Sequence, residues 1–303
     1  MTEPLAPPDP PVLGAGRQRD WAWRGWQVRY SFAPGPAEGV PLVLLHGFGA
    51  ALGQWRYVLP ALAQTRPVYA LDLLGFGASE KAATTYGTAL WVEQVSAFCR
   101  QMLGRPAVLV GNSLGALVAL ATAVSNPDLV TGLVLISLPD VARTGIPAWA
   151  WPLATLPERV LLPLVVWPLF YWARRPAVIR QVCRQFVYGR AAAVTEELVR
   201  ILATPPQDAG AAQTLYRLSM GTTRRDYVPP TPPLLAQVTQ PRLFLWGERD
   251  RIFSPRLGQR LAQVNPQGTT WVEVPGAGHC PQDEVPDQVV AAIVAWMEQQ
   301  NLS

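Results

Sequence analysis

The pentapeptide GNSLG (111–115) stands between the apolar run PAVLVGN (106–112) and the helical pattern LGALVALATAVSNP. A strand that turns directly into a helix leaves no room for side chains two residues to either side of the turn, which explains the glycines at 111 and 115. Such a turn also holds Ser113 in a strained backbone conformation. The pentapeptide therefore predicts a buried strand followed at once by a helix.

The same alternation of strands and helices extends along most of the chain. Further apolar runs of strand length are GVPLVLL (39–45), PVYALDL (67–73), TGLVLIS (131–137), PRLFLWG (241–247) and TTWVEV (269–274), and residues 26–32 alternate as an edge strand does. Helical patterns lie at 55–64, 88–103, 114–125, 255–264 and 285–299. Because strands that alternate with helices pair in parallel, the sequence predicts an α/β fold with a mostly parallel, doubly covered sheet.

The alternation stops between about residues 140 and 235, where prolines, tryptophans and arginines accumulate. We expect residues 1–20 to be a mobile tail, residues 21–139 and 236–303 to form the core, and residues 140–235 to be a helical lid inserted between core strands. The insertion would cover the carboxyl ends of the strands, where open α/β sheets bind ligands.

Composition excludes several classes of protein. Half of the 303 residues are hydrophobic and 15% are charged, which excludes wholesale disorder. The formal net charge of +4 gives no nucleic-acid footprint. Three distant cysteines indicate neither a disulfide framework nor a zinc site, and we expect no metal or cofactor. The amino terminus lacks the pattern of a secretory signal, so we expect an intracellular chain, cytoplasmic or peripheral on a membrane. The oligomeric state stays open.

Ser113 is the candidate nucleophile, and a serine hydroxyl needs a base. The chain has two histidines. His46 ends the first buried strand in HGFG, where we expect it to order the loop. His279 lies in GAGHCPQDEVPD after the last strand, and we predict that it is the general base.

A carboxylate must hold the imidazole in the right tautomer. Asp250 in WGERD follows a strand and precedes His279 by 29 residues, so we assign the acid to it. Asp140, which follows the strand TGLVLIS, remains an alternative. Glu248 and Asp283 are weaker candidates, and we expect both to be solvated loop charges.

Two backbone N–H groups are candidates for the oxyanion hole, which stabilises the negative charge of the attacked carbonyl. Leu114 follows the nucleophile directly, and Phe48 lies in the glycine-rich loop HGFG after the first parallel strand. This is the arrangement that a serine nucleophile on a strand-to-helix turn uses.

The motifs HGFG, DLLGFGAS, GNSLG, GERD and GAGH occur in this order. With them the chain resembles the serine-nucleophile type of the α/β-hydrolase superfamily from about Trp21 to Trp296. The resemblance implies that fold and the order serine, acid, histidine for the catalytic residues. Many relatives carry a third glycine where this chain has Ala116. Haloalkane dehalogenases and epoxide hydrolases look similar but use an aspartate nucleophile, so Ser113 argues against both.

A narrower resemblance is carried by HGFGAALGQW, YALDLLGFGASEK, LWVEQVSAFC and VLVGNSLGALVAL, which are similar to the pheophytinase and chlorophyll dephytylase group. GNS is also similar to the carbon–carbon hydrolases of meta-cleavage pathways. We therefore expect a serine ester hydrolase that acts on a hydrophobic, long-chain (phytyl or acyl) ester through an acyl-enzyme. The alternatives are a carbon–carbon bond hydrolase of the meta-cleavage type and a noncatalytic hydrophobic-ligand binder that keeps the fold.

The predicted lid combines apolar, aromatic and basic residues in a way that bears on its surroundings. Prolines recur at 147, 152, 157, 163 and 168, which predicts short helices rather than a straight transmembrane helix. Trp149, Trp151, Trp167 and Trp172 precede Arg174 and Arg175, and residues 140–235 contain eleven arginines and six acidic residues. This combination predicts peripheral contact with anionic lipid, and the alternative is that the aromatic residues pack the lid on the core.

Overall fold

The apolar runs of the sequence are strands of a single sheet in a computed structural model that describes residues 16–141, 151–224 and 226–302. Side chains are described throughout these ranges except at 151–154, 158, 159, 162 and 163. The strands are β1 Arg17–Trp23, β2 Trp26–Ala33, β3 Leu42–Leu45, β4 Val68–Leu71, β5 Ala107–Asn112, β6 Val130–Ile136, β7 Arg242–Gly247 and β8 Thr269–Val274.

The strand order is β1-β2-β4-β3-β5-β6-β7-β8. β1 and β2 form an antiparallel hairpin that pairs antiparallel with β4, and all the other neighbouring pairs are parallel. The carboxyl ends of β3, β5, β6, β7 and β8 therefore meet at one edge of the sheet, which brings together the loops that carry the predicted site residues. The predicted α/β-hydrolase fold is confirmed.

The helices are α1 Val58–Leu62, α2 Thr88–Phe98, α3 Leu114–Ser125, α4 Trp151–Ala173, α5 Pro176–Val182, α6 Glu196–Ala203, α7 Ala211–Gly221, α8 Thr231–Gln237, α9 Pro255–Ala262, α10 Pro281–Glu284 and α11 Pro286–Gln299. Those from α4 to α8 lie between β6 and β7 in the sequence, and residues 151–237 are called the inserted segment below. This is the region where the sequence predicts a helical lid.

The central strand β3 is apolar throughout because both of its faces are covered. Val43 and Leu45 of β3 pack in one cluster with residues of α2, α3, α8 and α9. Leu42 and Leu44, which point the other way, pack in a second cluster with residues of α1 and α11. Side chains that alternate between two buried faces leave no polar position in such a strand, as the sequence pattern predicted.

The amino-terminal boundary of the prediction was wrong. β1 begins at Arg17, so residues 17–20 belong to the sheet and not to a tail; residues 1–15 of that predicted tail lie outside the described residues. β1 escaped the pattern because it is an edge strand with mostly exposed polar residues and only Trp21 and Trp23 buried. The glycine of Arg24-Gly25 was the sequence feature that could have indicated a β-hairpin. In the structure both residues of this two-residue turn have positive φ, as in tight hairpins.

The prediction of short helices in the proline-rich stretch was also wrong. α4 is one helix of 23 residues that continues through Pro157, Pro163 and Pro168. Each internal proline removes one backbone donor, and the helix nevertheless continues across all three. No helix of the described ranges combines the length and apolar character that a membrane span needs. Trp149 lies outside the described residues, and only the backbone of Trp151 is described.

Candidate active site

Ser113 sits on the turn between β5 and α3, with φ 53° and ψ −114°. Its N–H donates to the carbonyl of Ile136 over 2.8 Å, which ties the turn to the neighbouring strand. A methyl group on Gly111 would overlap with the backbone of Gly115, and one on Gly115 would overlap with the carbonyl of Leu45. The two glycines therefore let strand and helix approach closely enough to hold Ser113 in a conformation that L-residues rarely adopt.

His279 and Asp250 are hydrogen-bonded to each other, with 2.9 Å between His279 Nδ1 and Asp250 Oδ2. Both side chains are buried. A carboxylate only accepts, so Nδ1 carries the proton and Nε2 is left as the basic nitrogen. The other oxygen, Asp250 Oδ1, accepts from the N–H groups of Ile252 and Phe253 over 2.8 and 2.9 Å, which fixes the orientation of the carboxylate.

The alternative acids lie elsewhere. Asp140 is exposed at the end of β6, where its Oδ1 accepts from the Thr231 N–H over 3.4 Å. Glu248 accepts from the Gly276 N–H over 2.8 Å. Neither residue contacts His279 in the described hydrogen-bond network, so the carboxylate in place beside the imidazole is that of Asp250.

Asn112 was missed by the sequence reasoning although it stands in the motif itself. Its side-chain amide donates to the carbonyl of His279 over 3.0 Å, which links the residue before the candidate nucleophile to the histidine loop. Its Oδ1 lies 3.8 Å from the Cys280 thiol, whose pKa burial raises well above the ordinary value. The thiol therefore stays protonated and donates. The motif contains Asn112, but nothing in the sequence indicates that its side chain binds the carbonyl of His279.

The two N–H groups predicted for the oxyanion hole belong to Phe48 and Leu114. Leu114 is the first residue of α3, so its N–H has no acceptor within the helix. Neither N–H donates to a backbone carbonyl among the described residues. Phe48 lines the same cavity as Ser113, the residue directly before Leu114.

His46 lies below this loop and not in the cavity. Its Nε2 accepts from the Leu73 N–H over 3.1 Å, so the proton is on Nδ1, which donates to the Gly47 carbonyl over 2.7 Å. Burial lowers the pKa of His46 and raises the pKa of the neighbouring Asp72 carboxyl. Asp72 in turn accepts from the N–H groups of Leu52 and Ala78 over 2.6 and 2.8 Å. His46 therefore orders the loop, as the sequence indicated.

Asp283 contradicts its interpretation as a solvated loop charge. It is buried, and its two oxygens meet Arg56 Nη1 at 2.9 Å and the Tyr188 hydroxyl at 2.8 Å. Burial raises the pKa of Asp283 to about 6, against the lowering effect of Arg56 and Tyr188. No sequence pattern indicates this cluster, since its members are 95 or more residues apart in the chain.

The inserted segment reaches the histidine loop through its backbone. The His279 N–H donates to the Val187 carbonyl over 2.8 Å. Glu284 accepts from the N–H groups of both Arg190 and Gly278, over 2.9 and 2.7 Å. The chain around Val187 thus forms a fixed wall beside His279.

Ser113 and His279 open into a cavity of about 600 Å3. Most of its lining is apolar and comes from the inserted segment, including Phe170, Trp172, Ile179, Val182, Leu215 and Leu218. Within the described part of the chain, no group of three or more His, Cys, Asp or Glu side chains could hold a metal ion. A groove of about 650 Å3 beside α2 contains none of the predicted site residues.

Comparison with known proteins finds hydrolases, both among family profiles and among individual relatives. A profile described as the alpha/beta hydrolase family matches residues 42–292. The hydrolase YugF of Bacillus subtilis (strain 168) is 26% identical over 275 residues, which are 90% of this chain and 95% of that protein. The 2-hydroxymuconate semialdehyde hydrolase of Pseudomonas sp. (strain CF600) is 41% identical over 108 residues, 34% of this chain and 38% of that protein.

Among solved structures, a bacterial membrane phospholipase A superposes with a TM-score of 0.73 at 27% identity. The match covers 94% of this chain and 87% of that one. The resemblance therefore extends over the core and the inserted segment together.

Proposed function

This chain belongs to the alpha/beta hydrolase family, and from that premise we propose that it is a serine ester hydrolase acting on a hydrophobic, long-chain ester. The observation that carries the proposal is the cavity of about 600 Å3 in which Ser113 and His279 face a largely apolar lining. A cavity of this size and character suits a ligand with a large apolar part and few polar groups.

The proposed reaction begins at Ser113. His279 Nε2 takes the hydroxyl proton as Ser113 Oγ attacks the ester carbonyl, and Asp250 stabilises the imidazolium that forms. The N–H groups of Phe48 and Leu114 donate to the oxygen that becomes negative. The bond between the acyl carbon and the oxygen of the alcohol then breaks, and His279 gives its proton to that leaving oxygen.

The second half of the reaction removes the acyl group from Ser113. Water attacks the acyl-enzyme while His279 accepts its proton, and the acid leaves as the serine hydroxyl is restored. The products are one alcohol and one carboxylic acid. Either part of the ester can be the long apolar one, so acyl esters and phytyl esters are both candidate substrates.

The test is a chain-length series of p-nitrophenyl esters from acetate to palmitate, with chlorophyll and pheophytin as phytyl esters. We expect kcat/KM to rise with acyl length by up to about fourfold for each methylene group that enters the cavity. Ser113→Ala should fold, because alanine fits the turn, and should lose more than about 10³-fold in kcat. Unchanged turnover by the purified variant, or no ester hydrolysis by the wild type, would contradict the proposal.

A second candidate is a carbon–carbon bond hydrolase of the meta-cleavage type. The similarity to 2-hydroxymuconate semialdehyde hydrolase over 108 residues favours it. Assay of a meta-cleavage dienoate beside the esters separates the two. Turnover of the dienoate without ester hydrolysis identifies this alternative, while tight binding of apolar ligands with no turnover of any substrate identifies a noncatalytic binder.

A further inference from the structure

α4 is attached to the molecule along one side only. Phe170 is buried against Ala211 and Ala212 of α7, with Trp167 and Leu215 beside it. Trp167 also stacks on Tyr216, with 6.4 Å between the ring centroids. These contacts turn one face of α4 toward α7 and leave the opposite face without a covering element among the described residues.

The uncovered face consists of large apolar side chains. The residues concerned, called the apolar face of α4 below, are Leu156, Val160, Leu161, Leu164, Val165 and Leu169, each about half exposed or more. Leu164 is the most exposed, at 69%. A helix on the surface of a protein in water normally turns polar residues outward. Residues 160–173 contain no charged residue at all, so this part of the helix turns no charged side chain to the solvent.

The rim of the cavity continues this apolar surface. Trp172 at the end of α4 and Val182 at the end of α5 line the cavity and are 51% and 41% exposed. Ile252 and Phe48 line it from the core side and are 44% and 56% exposed. Four segments of the chain therefore turn apolar side chains outward around one opening.

From Val160 in α4 to Thr195, the residue before α6, the charged residues are all basic. Residues 160–195 contain five arginines and no acidic residue. Arg180 is paired with Glu196, whereas Arg175 and Arg184 are exposed and form no ion pair with any described residue. The guanidinium of Arg174 lies 4.5 Å from the ring centroid of Tyr171, at the edge of the cavity. An exposed apolar face bordered by unpaired cations is complementary to an anionic lipid surface.

We propose that the apolar face of α4, together with Arg175 and Arg184, docks the molecule on an anionic lipid bilayer with the cavity rim toward the lipid. The long-chain ester would then pass from the bilayer into the cavity without crossing water. The docking itself does not depend on catalysis, and only the delivery of substrate depends on the proposed function.

Vesicle co-sedimentation tests the docking. Full-length protein should bind vesicles of equal parts phosphatidylcholine and phosphatidylglycerol, bind pure phosphatidylcholine much more weakly, and be released as salt is raised. Replacing Leu161, Leu164 and Val165 with serine should lower the partition coefficient at least about tenfold, because the inserted apolar area is lost. Arg175→Gln with Arg184→Gln should lower it by about thirtyfold on the anionic vesicles.

Matched controls lie on α9 and just after it. Val264→Ser removes an apolar side chain that is 39% exposed, and Arg256→Gln with Arg260→Gln removes two exposed arginines. Both control variants should bind vesicles as the wild type does. No binding by the wild type, or equal binding by the wild type and the α4 variants, would overturn the proposal.

Three further measurements distinguish docking from loss of catalysis, from misfolding and from dimer formation. Ser113→Ala should bind vesicles like the wild type, so that loss of catalysis and loss of docking are distinguished. The α4 variants should keep wild-type hydrolysis of a short soluble ester. Light scattering should give the same molecular mass for the wild type and for the variant with serine at 161, 164 and 165. A wild-type dimer that becomes a monomer in this variant would instead assign the apolar face of α4 to contact with a second copy of the chain.

Discussion

Asp250 uses its two carboxylate oxygens for two different contacts. One oxygen accepts from two backbone N–H groups of its own loop, and the other accepts from His279 Nδ1 over 2.9 Å. The first set fixes the carboxylate, and the second fixes the tautomer of the imidazole. This geometry separates Asp250 from Asp140, which is exposed and accepts only from the Thr231 N–H among the described residues.

Asp250→Asn tests this assignment. The amide can still accept from the N–H groups of Ile252 and Phe253, so we expect the variant to fold. Its NH2 group cannot accept from His279 Nδ1, so the imidazole adopts the wrong tautomer and kcat should fall by roughly 10⁴-fold, as in the serine protease precedent. Asp140→Asn is the matched control and should keep wild-type kcat; the reverse pattern would place the acid at the end of β6.

The candidate catalytic residues could be predicted from the sequence because the chain offers few residues of the required types. With two histidines, one of them in HGFG, the base could only be His46 or His279. The supporting side chains were not accessible in the same way. Asn112 holds the His279 carbonyl, and Tyr188 holds Asp283, through contacts that join residues far apart in the chain. No local pattern encodes such pairs.

At the scale of elements, buried strands and the helices between them followed from periodicity, and the two failures have physical causes. β1 lies at the edge of the sheet and pairs with one strand only. Most of its residues are polar and exposed, so the sequence shows no alternation of apolar and polar residues there. α4 was divided by its prolines in the prediction, yet it is one continuous helix that packs on α7.

Phe170 is the buried centre of the contact between α4 and α7, so we expect its removal to increase the local mobility of α4. Phe170→Ala should open α4 without unfolding the sheet, because Phe170 is the buried centre of a small cluster separate from the two core clusters. Loss of a buried phenylalanine costs about 3 kcal/mol or more, so amide exchange in residues 160–173 should become about a hundredfold faster. Exchange in β3 and β5 should not change.

Leu169→Ala is the matched control for this experiment. Leu169 is the neighbour of Phe170 on the same helix but is 55% exposed, so its removal leaves the α7 contact intact. Exchange in α4 should then stay near the wild-type rate. An equal acceleration in both variants would mean that α4 is held by something other than the Phe170 cluster.

At the scale of the whole molecule, one buried cluster joins regions that are distant in the chain. Arg56 of the core contacts Asp283 and Glu197, at 2.9 and 3.1 Å, and Tyr188 of the inserted segment donates to Asp283. Breaking a buried pair leaves an uncompensated charge, so the cluster binds the inserted segment firmly to the core. The wall beside His279 is therefore held to the core by side chains as well as by its backbone hydrogen bonds.

This cluster also sets a pH dependence of stability. Burial raises the pKa of Asp283 from 3.8 to about 6. Between these values the unfolded chain releases the proton that the folded chain keeps, so the free energy of unfolding falls as pH rises through about 6.

The variant Asp283→Asn tests this dependence because its side chain cannot titrate. We expect its stability relative to the wild type to increase by on the order of 2 kcal/mol between pH ~4 and pH ~7, measured by urea unfolding at a series of pH values. Asp287→Asn, an exposed carboxylate four residues later, should run parallel to the wild type. If the Asp283→Asn curve also runs parallel, the Asp283 carboxyl is ionised in the fold throughout this range, and Arg56 outweighs the effect of burial.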